Sequence, residues 1–262
     1  MKTRLDAELV RRGLARSREA APDLIAAGNV LVSGMPASKA ATQVDAETSI
    51  TLKDDHAEFV SRGGHKLAGA LDKFTQIDVS GKTALDAGAS TGGFTDVLLK
   101  RGAKKVVAVD VGYGQLAWEL QKDERVKILD RVNVRNLTPA QVGEEIDLVV
   151  ADLSFISLKL VLPALISVAK EGADFLVMVK PQFEVGKEKL GAGGVVRDVH
   201  LRKEAVVAVA DAAFALTLGT LGVVASPLPG PSGNVEYFLW LRKGAPALLE
   251  VDLDLAIEKG PA

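Results

Sequence analysis

The sequence predicts an α/β fold: a mostly parallel, doubly wound sheet of seven strands, preceded by a small N-terminal α+β domain. Three observations carry that prediction. From residue 82 onward, short apolar runs alternate with amphipathic segments, the pattern of strand–helix–strand units. The stretch ALDAGASTGGFTD at 84–96 leads from the first of those runs into a helical segment through a glycine-rich turn. Residues 1–53 break the pattern, with two helical segments, a hairpin signature and a local excess of basic side chains.

The bulk numbers fit this division. A chain of 262 residues, 48% hydrophobic, can build one large core and one small one. A net charge of -2 argues against a tail that holds nucleic acid by charge alone, so any basic surface must be local. The absence of cysteine excludes disulfides and thiolate metal sites and suits a reducing compartment. The longest apolar stretches, 158–169 and 205–218, are interrupted by Lys159, Pro163 and Asp211. Both fall short of the ~20 residues a membrane span needs. The N-terminal MKTRLDAELVRRGL is charged throughout and lacks a secretory pattern. The expectation is a cytoplasmic protein, a monomer, with no membrane partner and no metal.

In chain order, Leu5, Leu9 and Val10 fall at helical spacing. Ser17 can cap a second helix through Ala20, Leu24 and Ile25, which Gly28 ends. NVLVSGMPASKAATQV reads as strand–turn–strand with Gly34 at the turn. Lys2, Arg4, Arg11, Arg12, Arg16 and Arg18 face only Asp6 and Glu8 within residues 1–18, either a solvated helix face or a basic patch. Residues 54–63 read as a linker or hinge, with the large domain over 64–262. Its strands are TALDAG, VVAVDV, VKILD, DLVVAD, FLVMVK, GVVAS and EYFLWL. Helices are expected over 93–101, 115–122, 159–170 and 201–218. Only PLPGPSGN separates the last two strands, so that pair should be antiparallel.

The glycine turn poses a chemical question, because Asp86 stands just before Gly88. A dinucleotide turn brings backbone N–H groups to a pyrophosphate, and an adjacent acid would repel it. S-adenosylmethionine has no phosphate; it carries an ammonium and a sulfonium, so the acid becomes favourable. Gly88, Gly92 and Gly93 still serve, letting the backbone pass close to the ligand. Asp110 ends the second strand and can hold ribose hydroxyls. Asp130 ends the third, and RVNVR after it would frame an adenine. A tight turn and a helix cap are the plain alternatives.

Four further polar residues stand in apolar surroundings: Lys66 in SRGGHKL, Asp152 in VVADLSF, Lys180 in FLVMVKPQFE and Glu236 at the start of GNVEYFLWL. Ligands of open parallel sheets bind at the carboxyl ends of the strands. The four can therefore converge, although each alone could be a cap or a surface charge. A ribose 2′-hydroxyl must lose its proton to become a nucleophile, and a lysine can take it when burial or a second ammonium lowers its pKa. Methylation of a base amino group would more plausibly show an acid or Asn followed by Pro-Pro-aromatic, where this chain has Asp152-Leu153-Ser154-Phe155. Methylation at a base carbon usually needs a cysteine.

Two resemblances follow from these residues. RLDAELVRRGLARSREAAPDLIAAGNVLVSG resembles the alpha-L RNA-binding motif of a small-subunit ribosomal protein, which implies that Arg4, Arg16 and Arg18 face RNA phosphates. With FVSRGGHKL, LDAGASTGGFTDVLL, VGYGQLAW, DLVVADLSFISL, VKPQFEVGK and PSGNVEYFLWL, the chain to about Arg242 resembles the TlyA family of ribosomal RNA cytidine 2′-O-methyltransferases, within the FtsJ-like group. The resemblance implies a Rossmann-like class I methyltransferase fold and a Lys-Asp-Lys-Glu catalytic set on Lys66, Asp152, Lys180 and Glu236. It implies S-adenosylmethionine as cofactor, held by Asp86, Gly88, Ala89, Ser90, Thr91, Gly92, Gly93 and Phe94, by Asp110 and Val111, and by Asp130, Val132 and Asn133. It implies ribosomal RNA in ribosomal subunits as the partner, with Arg62 and His65 also facing RNA. Val132 and Val134 stand where the family pattern has Thr and Ala. A ribosome-assembly factor with a non-catalytic methyltransferase fold is the alternative reading.

Overall fold

The structure, a computed structural model, describes every residue except 1, 13, 16, 17, 19, 27, 46, 53–57, 231, 261 and 262. Ser17 and Arg16, and residues 54–57 of the expected linker, lie outside the described residues.

The N-terminal part contains β1 (Thr3–Arg4), α1 (Leu5–Arg11), α2 (Ala20–Ala26), β2 (Val30–Val32), β3 (Met35–Pro36), β4 (Gln43–Val44) and β5 (Ile50–Leu52). β1 pairs with β4, and β3-β2-β5 form a second small antiparallel sheet. Leu5, Leu9, Ile25, Val30, Val44 and Ile50 form its own core. Gly28 takes φ 74, the left-handed geometry that stops a helix. Ser33 and Gly34 both take positive φ, which matches the twist of a two-residue hairpin turn between β2 and β3.

The large part runs α3 (Arg62–Lys73), β6 (Thr83–Ala87), α4 (Gly93–Lys100), β7 (Lys105–Asp110), α5 (Trp118–Gln121), β8 (Val126–Asp130), α6 (Pro139–Val142), β9 (Ile146–Ala151), α7 (Leu162–Val168), β10 (Ala169–Val179), α8 (Pro181–Glu184), α9 (Val199–Ala215), β11 (Leu218–Ala225), β12 (Tyr237–Lys243) and α10 (Glu250–Glu258). The sheet order is β11-β12-β10-β9-β6-β7-β8. Strands β6 to β10 are mutually parallel; β12 runs antiparallel between β10 and β11. All seven expected strands form. The 115–122 segment shortens to a single turn, and α3, α6, α8 and α10 are additional helices.

Period-two alternation explains how the sheet is covered on both faces. Leu85, Val107, Val149, Val177 and Leu239 point into one core layer, with α7 and α9 packed over it. Ala84, Val106, Val150, Met178 and Phe238 point into the other, with α3 and α4 above it. At the far end of the β10–β12 pair, buried Asp174 accepts from Trp240 Nε1 at 2.8 Å and Arg242 Nη2 at 2.7 Å. That anchor fixes a register in which Val179 faces Tyr237 at the other end.

Candidate active site

Strand parity assembles the site. Asp86, Asp152, Lys180 and Glu236 continue the even-numbered series Ala84, Val150, Met178 and Phe238, so they lie on the face that α3 and α4 cover. Lys66 comes down from α3 onto that face. The parallel register aligns the ends of β6 and β9, and the Val179–Tyr237 pairing sets Lys180 next to Glu236.

Lys66, Asp152, Lys180 and Glu236 meet as two ion pairs. Lys66 Nζ donates to Glu236 Oε2 at 2.6 Å, with both side chains buried. Lys180 Nζ lies 2.6 Å from Asp152 Oδ1. That close approach is off the hydrogen-bonding direction of the carboxylate, and the directed hydrogen bond of Lys180 goes to Ser154 Oγ at 3.0 Å. Lys66, Asp152 and Lys180 line a cavity of about 300 Å³, and Glu236 backs Lys66 from behind.

The same cavity receives the first turns of two helices, through Ser61, Arg62 and Gly63 of α3 and Thr91, Gly93 and Phe94 at α4. Helix N-termini present free N–H groups and favour an anion. The backbones approach closely: a Cβ on Gly93 would lie 2.2 Å from Ser61 Oγ and 2.7 Å from Gly64 N. Beside it lies a second cavity of about 380 Å³, sharing Gly88, Ser90, Asp152 and Ser154. It is lined by Asp110, Val111, Gln115 and Asn133 and by the apolar Leu153 and Ile156. Asp110 Oδ1 accepts from Gly112 N at 2.7 Å and Oδ2 from Ser90 N at 2.8 Å. Each oxygen keeps a lone pair for a hydroxyl donor.

This cleft sits on a chain whose parts match known families. Residues 59–243 match the FtsJ-like methyltransferase model, and residues 3–50 match the S4 domain. A Mycobacterium tuberculosis protein named 16S/23S rRNA (cytidine-2′-O)-methyltransferase TlyA is 58% identical over 99% of this chain and 99% of its own. The chain belongs to the TlyA family of FtsJ-like methyltransferases. A Campylobacter jejuni relative, named 23S rRNA (cytidine-2′-O)-methyltransferase TlyA, is 34% identical over 71% of each chain. A solved structure from Streptococcus thermophilus, named as a hemolysin, superimposes with a TM-score of 0.78 at 36% identity, covering 98% of this chain and 95% of that one.

The family implies S-adenosylmethionine as cofactor, and the chemistry of the residues in the cleft suits it. Asp110 would take the ribose hydroxyls, Val111, Leu153 and Ile156 the adenine faces, and the turns of α3 and α4 the methionine carboxylate. Gly88, at φ 87, shows why the turn needs glycine, since a Cβ there would lie 2.6 Å from the Asp152 carbonyl oxygen. Asp86 does not line either cavity. It is fully buried, accepts from Thr95 Oγ1 at 2.7 Å, and has no partner at Oδ1. Burial pushes its carboxyl up to about 7, against the pull of the Thr95 bond. Asp130 accepts from Gly114 N at 2.9 Å, bracing the loop that carries Gln115, and lines neither cavity. Val132 packs against the core, while Asn133 caps the turn at 134–136.

The expected RNA-facing residues divide. Arg62 and His65 are exposed on α3, with His65 against the Phe59 ring. Arg18 is exposed. Arg4 is about half exposed but engaged with Asp6 at 2.7 Å. Arg11 and Arg12 both bind buried Glu8, whose carboxyl they hold down to about 2. Part of the basic cluster is therefore structural. Ser61, Ser154, Gln115 and Thr95 also belong to the site or its support. Only Ser154, two residues beyond Asp152 at a strand end, had a positional signal.

Proposed function

We propose that this protein transfers a methyl group from S-adenosylmethionine to the 2′-oxygen of cytidine in ribosomal RNA, of the small subunit, the large subunit or both, presented in ribosomal particles. The convergence of Lys66, Asp152, Lys180 and Glu236 at the mouth of the cofactor cleft carries the reading. The names of the relatives supply the acceptor. Residues 1–53 would grip RNA through Arg4, Arg16 and Arg18, 54–63 would link, and 64–262 would carry out transfer.

The bound cofactor supplies an electrophilic methyl on a sulfonium. The protein's task is to place and deprotonate the oxygen that attacks it, in line and at about 3–3.5 Å. In its neutral amine form, Lys180 takes the 2′-hydroxyl proton at Nζ. Asp152 is matched to the state after that step, because its carboxylate stabilises the ammonium that results. Ser154 fixes the direction of Nζ. Lys66, neutralised by Glu236, contributes a second positive group near the acceptor oxygen without leaving the site with excess charge. Phe155 is 90% exposed and lies 5.2 Å, ring to ring, from Phe183, a surface on which an unstacked base can lie.

Incubation with separated ribosomal subunits and labelled cofactor, followed by mapping of 2′-O-methyl marks, tests this. Label on a cytidine ribose supports it. RNA binding without any label favours the assembly-factor alternative.

A further inference from the structure

Glu184 is a partly buried carboxylate next to the site that the mechanism above does not use. It ends α8, four residues after Lys180. Its Oε2 accepts from Ser157 Oγ at 2.5 Å, and its Oε1 accepts from Leu158 N at 2.8 Å. Ser157 in turn caps the short turn at 158–160 through Lys159 N. Burial raises the Glu184 carboxyl, against these hydrogen bonds.

The geometry joins two loops. One follows β9 and carries Asp152, Ser154 and Phe155; the other follows β10 and carries Lys180 and Phe183. Lys180 ties them at the near end, through Asp152 and Ser154. Glu184 ties them at the far end. Phe155 lies between the two ties with φ 63, a left-handed backbone that a bulky non-glycine residue holds only under constraint from its surroundings. Its ring nevertheless projects into solvent, against Phe183 alone among the described aromatic rings. The chain is thus forced into an unfavourable conformation that buries nothing, and Glu184 supplies the outer restraint.

We propose that Glu184 is a positioning residue for the acceptor: its carboxylate clamps the 152–160 loop to the 180–184 turn, holding Phe155 and Ser154 where the ribose 2′-oxygen is presented to Lys180. The role rests on the methyl-transfer reading. Its distinctive effect is on the acceptor side, although Leu153 and Ile156 of the clamped loop also line the adenine side of the cofactor cleft. Glutamine can keep both bonds, its amide oxygen accepting from Leu158 N and its amide nitrogen donating to Ser157 Oγ. Alanine can keep neither.

The test compares E184A, E184Q and the unaltered full chain. Single-turnover methyl transfer to ribosomal subunits should fall about tenfold or more in E184A, as expected when a reacting oxygen is misplaced. E184Q should stay within about threefold, since it retains the geometry. The cofactor Kd, by calorimetry, should stay within about twofold in E184Q and rise by less than the rate falls in E184A, because only the adenine side of the cleft shares the clamped loop. Hydrogen exchange at the Leu158 amide, which needs no activity, should speed up about tenfold or more in E184A and little in E184Q. Normal transfer by E184A, equal loss in E184Q, or cofactor affinity falling in step with rate would each overturn the proposal. An unaltered chain that methylates no ribosomal RNA would instead overturn the methyl-transfer reading, while the exchange data still report whether the clamp exists.

Discussion

Lys66 Nζ and Glu236 Oε2 lie 2.6 Å apart, joining the helix that precedes the sheet to the residue just before β12. Glu236 is 1% exposed, so the pair is sealed from water on the carboxylate side. Breaking a buried pair by removing one partner costs about 3–5 kcal/mol, whereas replacing both by apolar groups is often near neutral. Lys66→Ala should therefore lower the thermal midpoint markedly, and Lys66→Met with Glu236→Leu should recover much of it. Neither should recover methyl transfer. A double variant that regains both stability and activity would reduce the pair to a structural tie.

Lys180→Ala should abolish most transfer, with a loss of about 10²–10⁴-fold, the usual contribution of a positioned general base. Cofactor affinity should stay nearly normal, because Lys180 belongs to the acceptor side of the cavity. Lys180→Arg separates the two roles open to the side chain, because arginine keeps the positive charge but cannot take up a proton. Base catalysis predicts a loss as large as in Lys180→Ala; retention of most of the rate would assign Lys180 a purely electrostatic role.

Asp86 makes the stability of the protein depend on pH with a definite sign. Its folded carboxyl sits at about 7, above its ordinary value of 3.8. Between those values the unfolded chain releases the proton while the folded chain keeps it, so stability falls as pH rises from about 4 to about 7. Thermal melts of the cofactor-free protein from pH 5 to 8 should show this decline, and Asp86→Asn should flatten it. The Glu8 carboxyl, held at about 2, loses its contribution only at far lower pH and leaves this window untouched.

Much of this arrangement was legible in the sequence, and the reason is parity. Ala84 and Asp86, Val150 and Asp152, and Met178 and Lys180 share a face because side chains alternate along a strand. The antiparallel hairpin after PLPGPSGN brings Glu236 to the same edge. The inward turn of Asp86 was not legible, since it depends on Thr95 of α4 closing over the strand end. Nor was the use of Arg11 and Arg12 against Glu8, because spacing allows such pairs on any exposed helix and does not reveal that Glu8 is buried. Glu184 ends a four-residue helix, too short for periodicity to mark what its side chain meets.

Gly88→Ala should separate cofactor binding from acceptor chemistry in the opposite sense to Lys180→Ala. Gly88 takes φ 87, and an added methyl would lie 2.6 Å from the Asp152 carbonyl oxygen and 3.1 Å from Leu153 Cδ2. Leu153 Cδ2 is a side-chain end that can give way, but the Asp152 carbonyl is backbone, so the β6 turn or the backbone after β9 must move. A strained left-handed residue costs about 1–3 kcal/mol by itself, and a cleft displaced by that much should lose roughly tenfold or more in cofactor affinity. Because Asp152 shifts too, transfer should fall with affinity rather than independently of it. Gly81→Ala is the control: its φ of 71 carries the same backbone penalty, but nothing lies within 4 Å of the new methyl. It should lower the thermal midpoint while calorimetry finds the cofactor affinity intact. If both variants bind cofactor like the unaltered chain, the close approach at Gly88 does not shape the cofactor site.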